Sequence, residues 1–170
     1  MLKKLFLSLF LIFIAVLSIA LYRTIIHTAP DLDGIQGEVI SIDELQAAQN
    51  LAASIRFKTI SYQDEDKFPH QEFNKFIRWA EVTYPEFHEV MEIDQLKHSL
   101  LFKWQGSDST LAPILFEGHH DVVPIIPGTE NLWQESPFAG VISNNRIWGR
   151  GALDDKSCLL YTSDAADEGL

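Results

Sequence analysis

The chain has 170 residues, with 13 lysines and arginines against 24 aspartates and glutamates, so its formal net charge is −11 with histidine neutral. This length fits one ordinary domain or part of a larger one. An aromatic content of 11% argues against intrinsic disorder, because disordered chains are poor in aromatic residues. The acidic balance and the lack of a basic stripe argue against a nucleic-acid partner. The single cysteine, Cys158, excludes an internal disulfide framework.

The first segment of the chain is apolar and is preceded by positive charge. Residues 5–22 carry no charged side chain, and Lys3 and Lys4 stand before them. At about 1.5 Å per residue, this run nearly spans the roughly 30 Å hydrocarbon core of a bilayer. Positive residues before an apolar run favour a cytoplasmic N-terminus. We therefore predict a cytoplasmic segment at 1–4, a single-pass transmembrane signal anchor at 5–22, and a body in the periplasm or outside the cell.

Two alternatives to this anchor stay open. A cleavable signal peptide would end near the small residues Ser18 and Ala20 and would give a secreted protein, although the apolar stretch is long for a signal. A buried core helix would need other elements to cover a helix that is apolar on every side. We favour the uncleaved anchor, which makes the membrane a partner of residues 5–22.

The body begins with a linker and a helix. Residues 23–40 contain the turn-forming residues Pro30, Asp33-Gly34 and Gly37, which are typical of a linker. Ser41 and Glu44 have the spacing of a capping box, in which each side chain satisfies a first-turn amide. Apolar residues at helical spacing then predict a helix over 43–56 with one buried face.

One further helix and three strand-forming segments follow. Apolar residues at helical spacing predict a helix over 70–83, which Pro85 ends. Alternating apolar residues predict a strand over 99–104. The short apolar run 113–117 is typical of a central strand in an α/β sheet. Residues 141–148 are predicted to form a hairpin around a Ser-Asn-Asn turn. Helices that precede strands in this order favour the α/β class.

A histidine and an aspartate follow the strand predicted at 113–117. Residues 118–124 are Gly-His-His-Asp-Val-Val-Pro, and His119 and Asp121 share a face because residues two apart in extended chain point the same way. The carboxyl end of a strand is where open α/β sheets bind ligands. One ring nitrogen of His119 can bind zinc while a carboxylate orients the ring. Taken alone, the pair is also compatible with a partly buried, hydrogen-bonded histidine.

Two adjacent carboxylates follow the predicted hairpin. Residues 150–156 are Arg-Gly-Ala-Leu-Asp-Asp-Lys, which places Asp154 beside Asp155. Such a pair can cap a helix and supply its first-turn acid. It can also lie at a metal centre, because a carboxylate that bridges two cations receives the compensating charge from them.

Taken together, residues 118–124, Trp133, the Ser-Pro-Phe run at 136–138 and residues 147–156 resemble the zinc metallopeptidases of the ArgE/DapE/aminoacylase/carboxypeptidase superfamily. The nearest likeness is to the carboxypeptidase S, or Gly-Xaa carboxypeptidase, branch. There the Val-Val-Pro and Asp-Asp-Lys runs occur in the same order. The resemblance implies that 41–157 are the N-terminal part of a zinc-exopeptidase catalytic domain, with a mixed sheet flanked by helices.

The resemblance also implies roles for three residues. His119 matches the first zinc ligand, Asp121 the active-site acid that supports it, and Asp154 the aspartate that bridges two zinc ions. The peptide bond between Asp154 and Asp155 would be cis. The implied reaction is metal-assisted amide hydrolysis, in which two metal ions about 3.5–4 Å apart activate a water and polarise the scissile carbonyl. Substrates would be peptides or N-acyl amino acids with a free carboxylate.

The chain departs from the family pattern after Lys156. No histidine follows His120, and each catalytic zinc needs about three protein ligands, so one histidine and one shared aspartate do not fill two sites. We therefore expect a truncated and inactive fragment, with a homodimer only where the family's second domain is present. Residues 158–170 resemble the translation of a transposase adapter used in sequencing libraries and are predicted to be non-native.

Other functions stay open at this point. The chain could be a deacylase or desuccinylase of the same superfamily, or a non-catalytic, membrane-tethered binding module that keeps the metal loop as a scaffold. Trp79 and Trp104 are predicted to be core residues, and Trp133 and Trp148 to pack around the metal loops. The other histidines lack a partner at a suitable spacing and are predicted to be solvated: His27, His70, His88 and His98.

Overall fold

The computed structural model describes residues 2–27 and 41–161. Most of the predicted linker and the end of the predicted non-native tail, at 28–40 and 162–170, lie outside the described residues. The described chain forms two units, an N-terminal helix and the body that begins at residue 41.

The N-terminal unit is one long helix, α1, at Leu2–Ile26. It extends beyond the apolar run at both ends because the flanking lysines and arginine are good helix formers. Its described side chains are all exposed. Between Lys3 and Ile26 the mean hydropathy reaches 2.8, so length and composition would let this helix cross a membrane. A signal sequence passes the same test, and the anchor at 5–22 stays a prediction.

The first helix of the body, α2, spans Glu44–Ile55, within one residue of the predicted bounds at each end. Ala52 and Ile55 are buried, as the helical spacing of the apolar residues predicts. Ser54 is also fully buried, and its hydroxyl donates to the carbonyl of Leu51. The C-terminal end of α2 therefore lies in the core of the body.

The N-terminal end of α2 corrects the predicted capping box. The cap is Asp43, whose Oδ1 accepts hydrogen bonds from the amides of Leu45 and Gln46 at 3.0 Å each. Ser41 lies outside the helix, so the predicted pairing of Ser41 with Glu44 is wrong. Asp43 directly precedes the first helical residue, and a carboxylate in that position satisfies two first-turn amides by itself.

Two helices meet at a proline in the middle of the body. Helix α3 spans His70–Thr83, the predicted bounds, and buries Phe73 and Phe76. Pro85 ends α3 as predicted, but it also begins helix α4, Pro85–Val90, which the sequence analysis missed. Proline suits a first helical position because its fixed φ matches the helix and its missing N–H would be unpaired there anyway.

The strands form two separate antiparallel hairpins. Strand β1, Glu92–Leu96, pairs with β2, Ser99–Lys103, and strand β3, Val141–Ser143, pairs with β4, Arg146–Trp148. The predicted strand at 99–104 and hairpin at 141–148 are confirmed, whereas β1 was not predicted. The remaining described elements are short 3-10 helices at Glu65–Lys67 and Glu130–Leu132 and a helical segment at 156–161.

The local turn sequence explains the second hairpin. Asn144 and Asn145 both have positive φ, at 52° and 58°. Asparagine tolerates this region, and two such residues make a turn whose twist matches paired strands. By contrast, Trp104 lies just after β2 and is 56% exposed, so its predicted core position is wrong.

The predicted central strand at 113–117 is not a strand in the described structure. Ile114, Leu115 and Phe116 are between 69% and 79% exposed and pair with no neighbouring strand among the described residues. A strand needs partners for its backbone groups, and composition alone does not supply them. The described body therefore combines helices with small hairpins rather than with one mixed sheet. Its isolated parallel bridge joins Ile60 to Val122.

An aromatic cluster forms much of the core. Phe57 meets the rings of Phe76 and Trp79 at centroid distances of 5.9 and 5.6 Å, which agrees with the predicted core position of Trp79. Phe76 in turn lies 5.5 Å from Trp79. Edge-on and tilted contacts of this kind are the preferred geometries of buried aromatic pairs. The cluster joins α3 to the segment that follows α2.

The histidines correct another prediction. Nδ1 of His70 lies 2.9 Å from Nε2 of His98, and both rings pack against Phe68. Nδ1 of His88 lies 2.7 Å from the Tyr84 carbonyl. These three histidines are therefore partnered rather than simply solvated. The fold brings His70 and His98 together across 28 positions, whereas His88 meets the carbonyl four residues before it, at helical spacing. His27 is exposed, as predicted.

Candidate metal centre

The segment that carries His119 is held by the chain that follows α2. The hydroxyl of Thr59 donates to the His120 carbonyl at 2.5 Å, and the Val122 amide donates to the Thr59 carbonyl at 2.8 Å. The Ser61 amide returns a bond to the Val122 carbonyl at 2.9 Å. Thr59 is fully buried. These bonds keep the segment extended, so alternate side chains point to opposite faces.

Both ring nitrogens of His119 face acidic residues. Nδ1 lies 3.0 Å from the carbonyl oxygen of Asp121 and 3.1 Å from its Oδ1. Nε2 lies 3.1 Å from Oδ1 of Asp154, which is 35 residues further along the chain. The structure therefore brings the three residues singled out in the sequence into one cluster. The His119 side chain is 48% exposed and that of Asp154 85%, so the cluster opens to solvent.

This arrangement has an electrostatic consequence. Partial burial acts to lower the pKa of His119, but the hydrogen bonds and charges of Asp121 and Asp154 outweigh it and raise that pKa above its usual value. A neutral imidazole carries only one N–H and can donate to only one of the two carboxylates. A direct contact of the second nitrogen with the other carboxylate is favourable when that nitrogen carries a proton or when a cation lies between the two groups.

The loop that carries Asp154 follows β4 and packs tightly. Gly151 has φ +88°, and a Cβ on it would lie 2.7 Å from Cγ1 of Val122. Only glycine allows this close approach of the loop to the His119 segment at that backbone angle. The Lys156 amide donates to the Gly151 carbonyl at 3.2 Å and closes the loop. At the start of the loop, the Arg150 guanidinium lies 5.0 Å from the Trp133 ring.

Asp155 points back toward the histidine segment. Its Oδ2 accepts from the His119 amide at 3.4 Å, and the peptide bond between Asp154 and Asp155 is cis. Neighbouring carboxylates of the loop thus have different partners. Asp154 faces the His119 ring, whereas Asp155 faces its backbone.

The donor atoms fit part of a zinc site. Zinc takes imidazole nitrogen and carboxylate oxygen at about 2.0–2.2 Å in tetrahedral geometry, so two ligands of one ion lie roughly 3.4 Å apart. The 3.1 Å between Nε2 of His119 and Oδ1 of Asp154 is close to that separation. Contact of Nδ1 with Asp121 is the usual support for a zinc-bound histidine. Among the described residues, however, no group of three or more such side chains could hold a metal.

His120 has a different environment from His119. Its ring stacks on Phe76 at a centroid distance of 4.8 Å and an interplanar angle of 9°. Burial, with the nearby Lys156 charge, lowers the pKa of His120 to about 4. His120 is therefore a neutral core residue on the face opposite His119, as the alternation of an extended chain predicts.

Two residues near the site were not singled out in the sequence. Thr59 carries no motif signal, because its bond to His120 spans 61 positions of sequence. Lys156 appeared only as the last letter of a motif, yet it is fully buried. A lysine within an acidic run is ordinarily a solvated residue, so its burial follows only from the three-dimensional packing.

The sequence of this chain is similar to those of known proteins. Residues 115–168, which include His119, Asp121 and Asp154, match Peptidase family M20/M25/M40. A carboxypeptidase S-like protein of Dictyostelium discoideum is 40% identical over 124 residues, which cover 72% of this chain and 25% of that protein. Carboxypeptidase S of Saccharomyces cerevisiae is 30% identical over 131 residues, covering 75% of this chain and 23% of that protein.

Another group of relatives is named for a different activity. The human N-fatty-acyl-amino acid synthase/hydrolase PM20D1 is 36% identical over 123 residues, which cover 69% of this chain and 23% of that protein. The chain spans about a quarter of the length of these curated relatives. From the matched segment and these relatives, we conclude that the chain belongs to peptidase family M20/M25/M40.

Proposed function

We propose that this chain supplies part of the zinc centre of a hydrolase that cleaves a C-terminal peptide bond or the amide bond of an N-acyl amino acid. The observation that carries the proposal is the approach of His119 Nε2 to the Asp154 carboxylate, at 3.1 Å, while Asp121 holds the other ring nitrogen. Membership of a peptidase family supports amide hydrolysis. The activity proposed is that of a whole protein that contains this chain.

Each of the three residues has a distinct role in this proposal. Nε2 of His119 and the carboxylate of Asp154 would hold zinc, with Asp154 shared between two ions. Asp121 would accept a hydrogen bond from Nδ1–H of His119. This bond keeps the proton on Nδ1 and leaves Nε2 free to coordinate. Bound zinc supplies polarisation of the scissile carbonyl and a water of lowered pKa. We place the general base and the other ligands in the part of the relatives that this chain does not cover.

The relatives support two substrate classes. Those named for carboxypeptidase S favour peptides, and those named as N-fatty-acyl-amino acid synthase/hydrolase favour N-acyl amino acids. Both classes present an amide bond next to a free carboxylate. Hydrolysis of an N-acyl amino acid is therefore a second candidate, of the same chemical type as the deacylase alternative.

For the 170-residue chain alone, we propose zinc binding without measurable hydrolysis. His119 and Asp154 supply two ligands, whereas each catalytic zinc takes about three from the protein. A peptide and an N-acyl amino acid, incubated with the zinc-loaded chain and analysed for free amino acid, test this. Turnover that survives purification and requires His119 would contradict the expectation of an inactive fragment.

The metal site is tested by zinc competition with a chromophoric chelator, on the full chain in detergent. We expect His119→Ala and Asp154→Ala each to weaken zinc binding by at least about 100-fold, because losing a ligand costs more than losing a residue that supports one. His27→Ala and Asp94→Ala remove an exposed histidine and an exposed aspartate elsewhere and should bind like the parent. Equal affinity in all five proteins would contradict the proposed site.

We also propose the arrangement of the chain along its length. Residues 1–4 are cytoplasmic, 5–22 form the signal anchor, 23–40 link it to the body, and 41–157 belong to the catalytic domain. The exposure of every described side chain of α1 supports the anchor. The proposal that 158–170 are non-native is tested by the coding nucleotides, since genomic sequence that runs unbroken through this region would contradict it.

A further inference from the structure

A buried ammonium lies two residues after Asp154. The Lys156 side chain is fully buried, and its Nζ donates to the carbonyl of Ser54 at 2.8 Å and to that of Phe57 at 3.2 Å. Nζ also lies 5.1 Å from the centroid of the Phe76 ring. The structure gives this ammonium no salt bridge to any described carboxylate. Its direct contacts are therefore two backbone carbonyls and one aromatic face, and the carboxylates of Asp121 and Glu72 act on it only as more distant charges.

The two carbonyls lie at and just beyond the C-terminal end of α2. Carbonyls at a helix end lack the amide partner four residues further on, although the Phe57 amide does donate to the Ser54 carbonyl at 3.3 Å. That end also carries partial negative charge, which favours a cation. Burying an ammonium is costly, and an apolar side chain of similar size would avoid that cost. The two hydrogen bonds of the ammonium are directional, and they join the Asp154 loop to residues 102 and 99 positions earlier in the chain.

The same stretch of chain holds the other half of the site. Residues 54–61, which we term the clamp segment, receive Lys156 through the carbonyls of Ser54 and Phe57. Through Thr59 and Ser61 they bind the backbone of the His119 segment at His120 and Val122. The loop of Asp154 and the segment of His119 are thus both hydrogen bonded to one piece of chain.

Phe76 adds a second link between the two halves. Its ring stacks on His120, the neighbour of His119, and also faces the ammonium of Lys156. A cation near an aromatic face is attracted by the ring, most strongly where water is excluded. A shift of Lys156 would therefore disturb both its carbonyl partners and the packing beside His119.

We propose that Lys156 is a positioning residue of the metal centre, which holds Asp154 in register with His119 by fastening the Asp154 loop to the clamp segment. Lys156 touches neither metal nor substrate in this role. The inference rests on the proposed function, because the register it sets is that of the two zinc ligands. In the metal-free protein, too, the contact between His119 Nε2 and Asp154 depends on Lys156.

The test compares Lys156→Met with Lys103→Met, the same change at an exposed lysine on β2. In the metal-free chain, nitrogen NMR of the His119 ring reports each nitrogen separately. We expect Lys156→Met to shift the Nε2 signal, which depends on Asp154, more than the Nδ1 signal, because Asp121 still holds Nδ1 and only feels the loss of the more distant Lys156 charge. Zinc affinity should fall by about tenfold or more. Lys103→Met should change neither ring signal nor zinc affinity.

A destabilised variant separates positioning from general loss of stability. Phe87→Leu weakens packing against Phe102, away from the clamp segment, and should lower stability without moving the His119 signals. If Lys156→Met leaves both ring signals and zinc affinity as in the parent, the positioning role is wrong while the metal site stands. If the parent binds no zinc but Lys156→Met shifts Nε2 more than Nδ1, the metal function fails, while the dependence of the His119–Asp154 contact on Lys156 stands.

If Lys156→Met does not fold, proton exchange of the Lys156 ammonium in the parent chain tests the proposal instead. A fastened ammonium exchanges its protons slowly, so the Lys156 N–H signal should be visible at neutral pH where exposed lysines give none. Coupling between two sites is reciprocal, so zinc should slow that exchange further. An ammonium that exchanges as fast as those of exposed lysines, with or without zinc, would overturn the proposal.

Discussion

At the scale of single residues, the centre depends on how one imidazole divides its two nitrogens. Nδ1 of His119 is held twice by Asp121, through the backbone carbonyl and through the carboxylate. Nε2 faces a carboxylate from a different loop. The pairing of His119 with Asp121 could be predicted, because it follows from the alternation of an extended chain. Its meeting with Asp154 could be inferred only by resemblance, because no local rule links residues 35 positions apart.

The double contact makes a specific prediction for Asp121→Ala. The backbone carbonyl still holds Nδ1, so the ring keeps part of its orientation and loses only the carboxylate. We expect zinc affinity to fall by about tenfold, at the lower end of the range for residues that support a ligand. Competition with a chelator measures it, and Asp94→Ala serves as the exposed control. A loss as large as that of His119→Ala would contradict the supporting role.

Residue-scale electrostatics also predict a pH effect away from the metal site. Glu72 accepts from the Lys75 ammonium at 2.7 Å and from the Lys58 amide at 3.1 Å. The hydrogen bond from Lys75, opposed in part by burial, holds the pKa of Glu72 below its usual value. A lowered pKa means that the carboxylate stabilises the fold above its usual pKa and loses this contribution as pH falls.

Accordingly, Glu72→Gln should destabilise the chain by about 1 kcal/mol at pH 7, since a partly exposed charged hydrogen bond is worth roughly that much. The difference should shrink as pH falls below the usual glutamate value of 4.5. Urea unfolding at pH 7 and at pH 3.5 measures it, with Glu81→Gln on the exposed side of α3 as control. A difference that persists unchanged at the lower pH would contradict the assignment.

At the scale of elements, the sequence was sufficient to predict a helix or a hairpin where the residues of that segment alone determine its structure. The bounds of α2 and α3 follow from apolar spacing, and the β3–β4 hairpin follows from its two turn asparagines. Strand β1 was missed because all five of its residues are exposed and no apolar face marks it. The error at 113–117 has the opposite cause, since an apolar run indicates burial but does not identify a pairing partner.

Because Gly140 packs tightly against α2, we expect one added methyl group there to lower the free energy of unfolding strongly. Gly140 precedes β3, and a Cβ on it would lie 2.0 Å from the backbone carbonyl oxygen of Ala52 in α2. Its φ of +57° also disfavours side chains. Gly140→Ala should therefore cost about 2–4 kcal/mol of unfolding free energy, since backbone atoms cannot move aside. Gly106→Ala, in open space, should cost well under 1 kcal/mol in the same urea titration.

At the scale of the whole molecule, the body buries part of its apolar side chains, whereas the N-terminal helix exposes its own. The body buries Phe73 and Phe76 together with Ile55 of the clamp segment, and that segment is hydrogen bonded to both halves of the candidate centre. Helix α1 exposes its apolar residues on every side. Water does not stabilise a helix that is apolar on every side, whereas a bilayer accommodates its apolar side chains, and its backbone groups are hydrogen bonded within the helix itself. That residues 5–22 differ from the body in apolar character could be recognised from the sequence, because it depends on residue type alone.

This difference leads to a prediction for the whole chain expressed in cells. Arginine at the centre of a membrane helix costs about 2.5–3.5 kcal/mol, so the double variant Ile12→Arg with Phe13→Arg should lose most of its membrane retention. Ile26→Arg, at the end of α1, should stay in the membrane because a terminal arginine reaches the headgroups. Carbonate extraction followed by detection of the body measures both. Because a cleaved signal would leave the parent body soluble and shorter by about 20 residues, the mass of the extracted parent separates an anchor from a signal peptide.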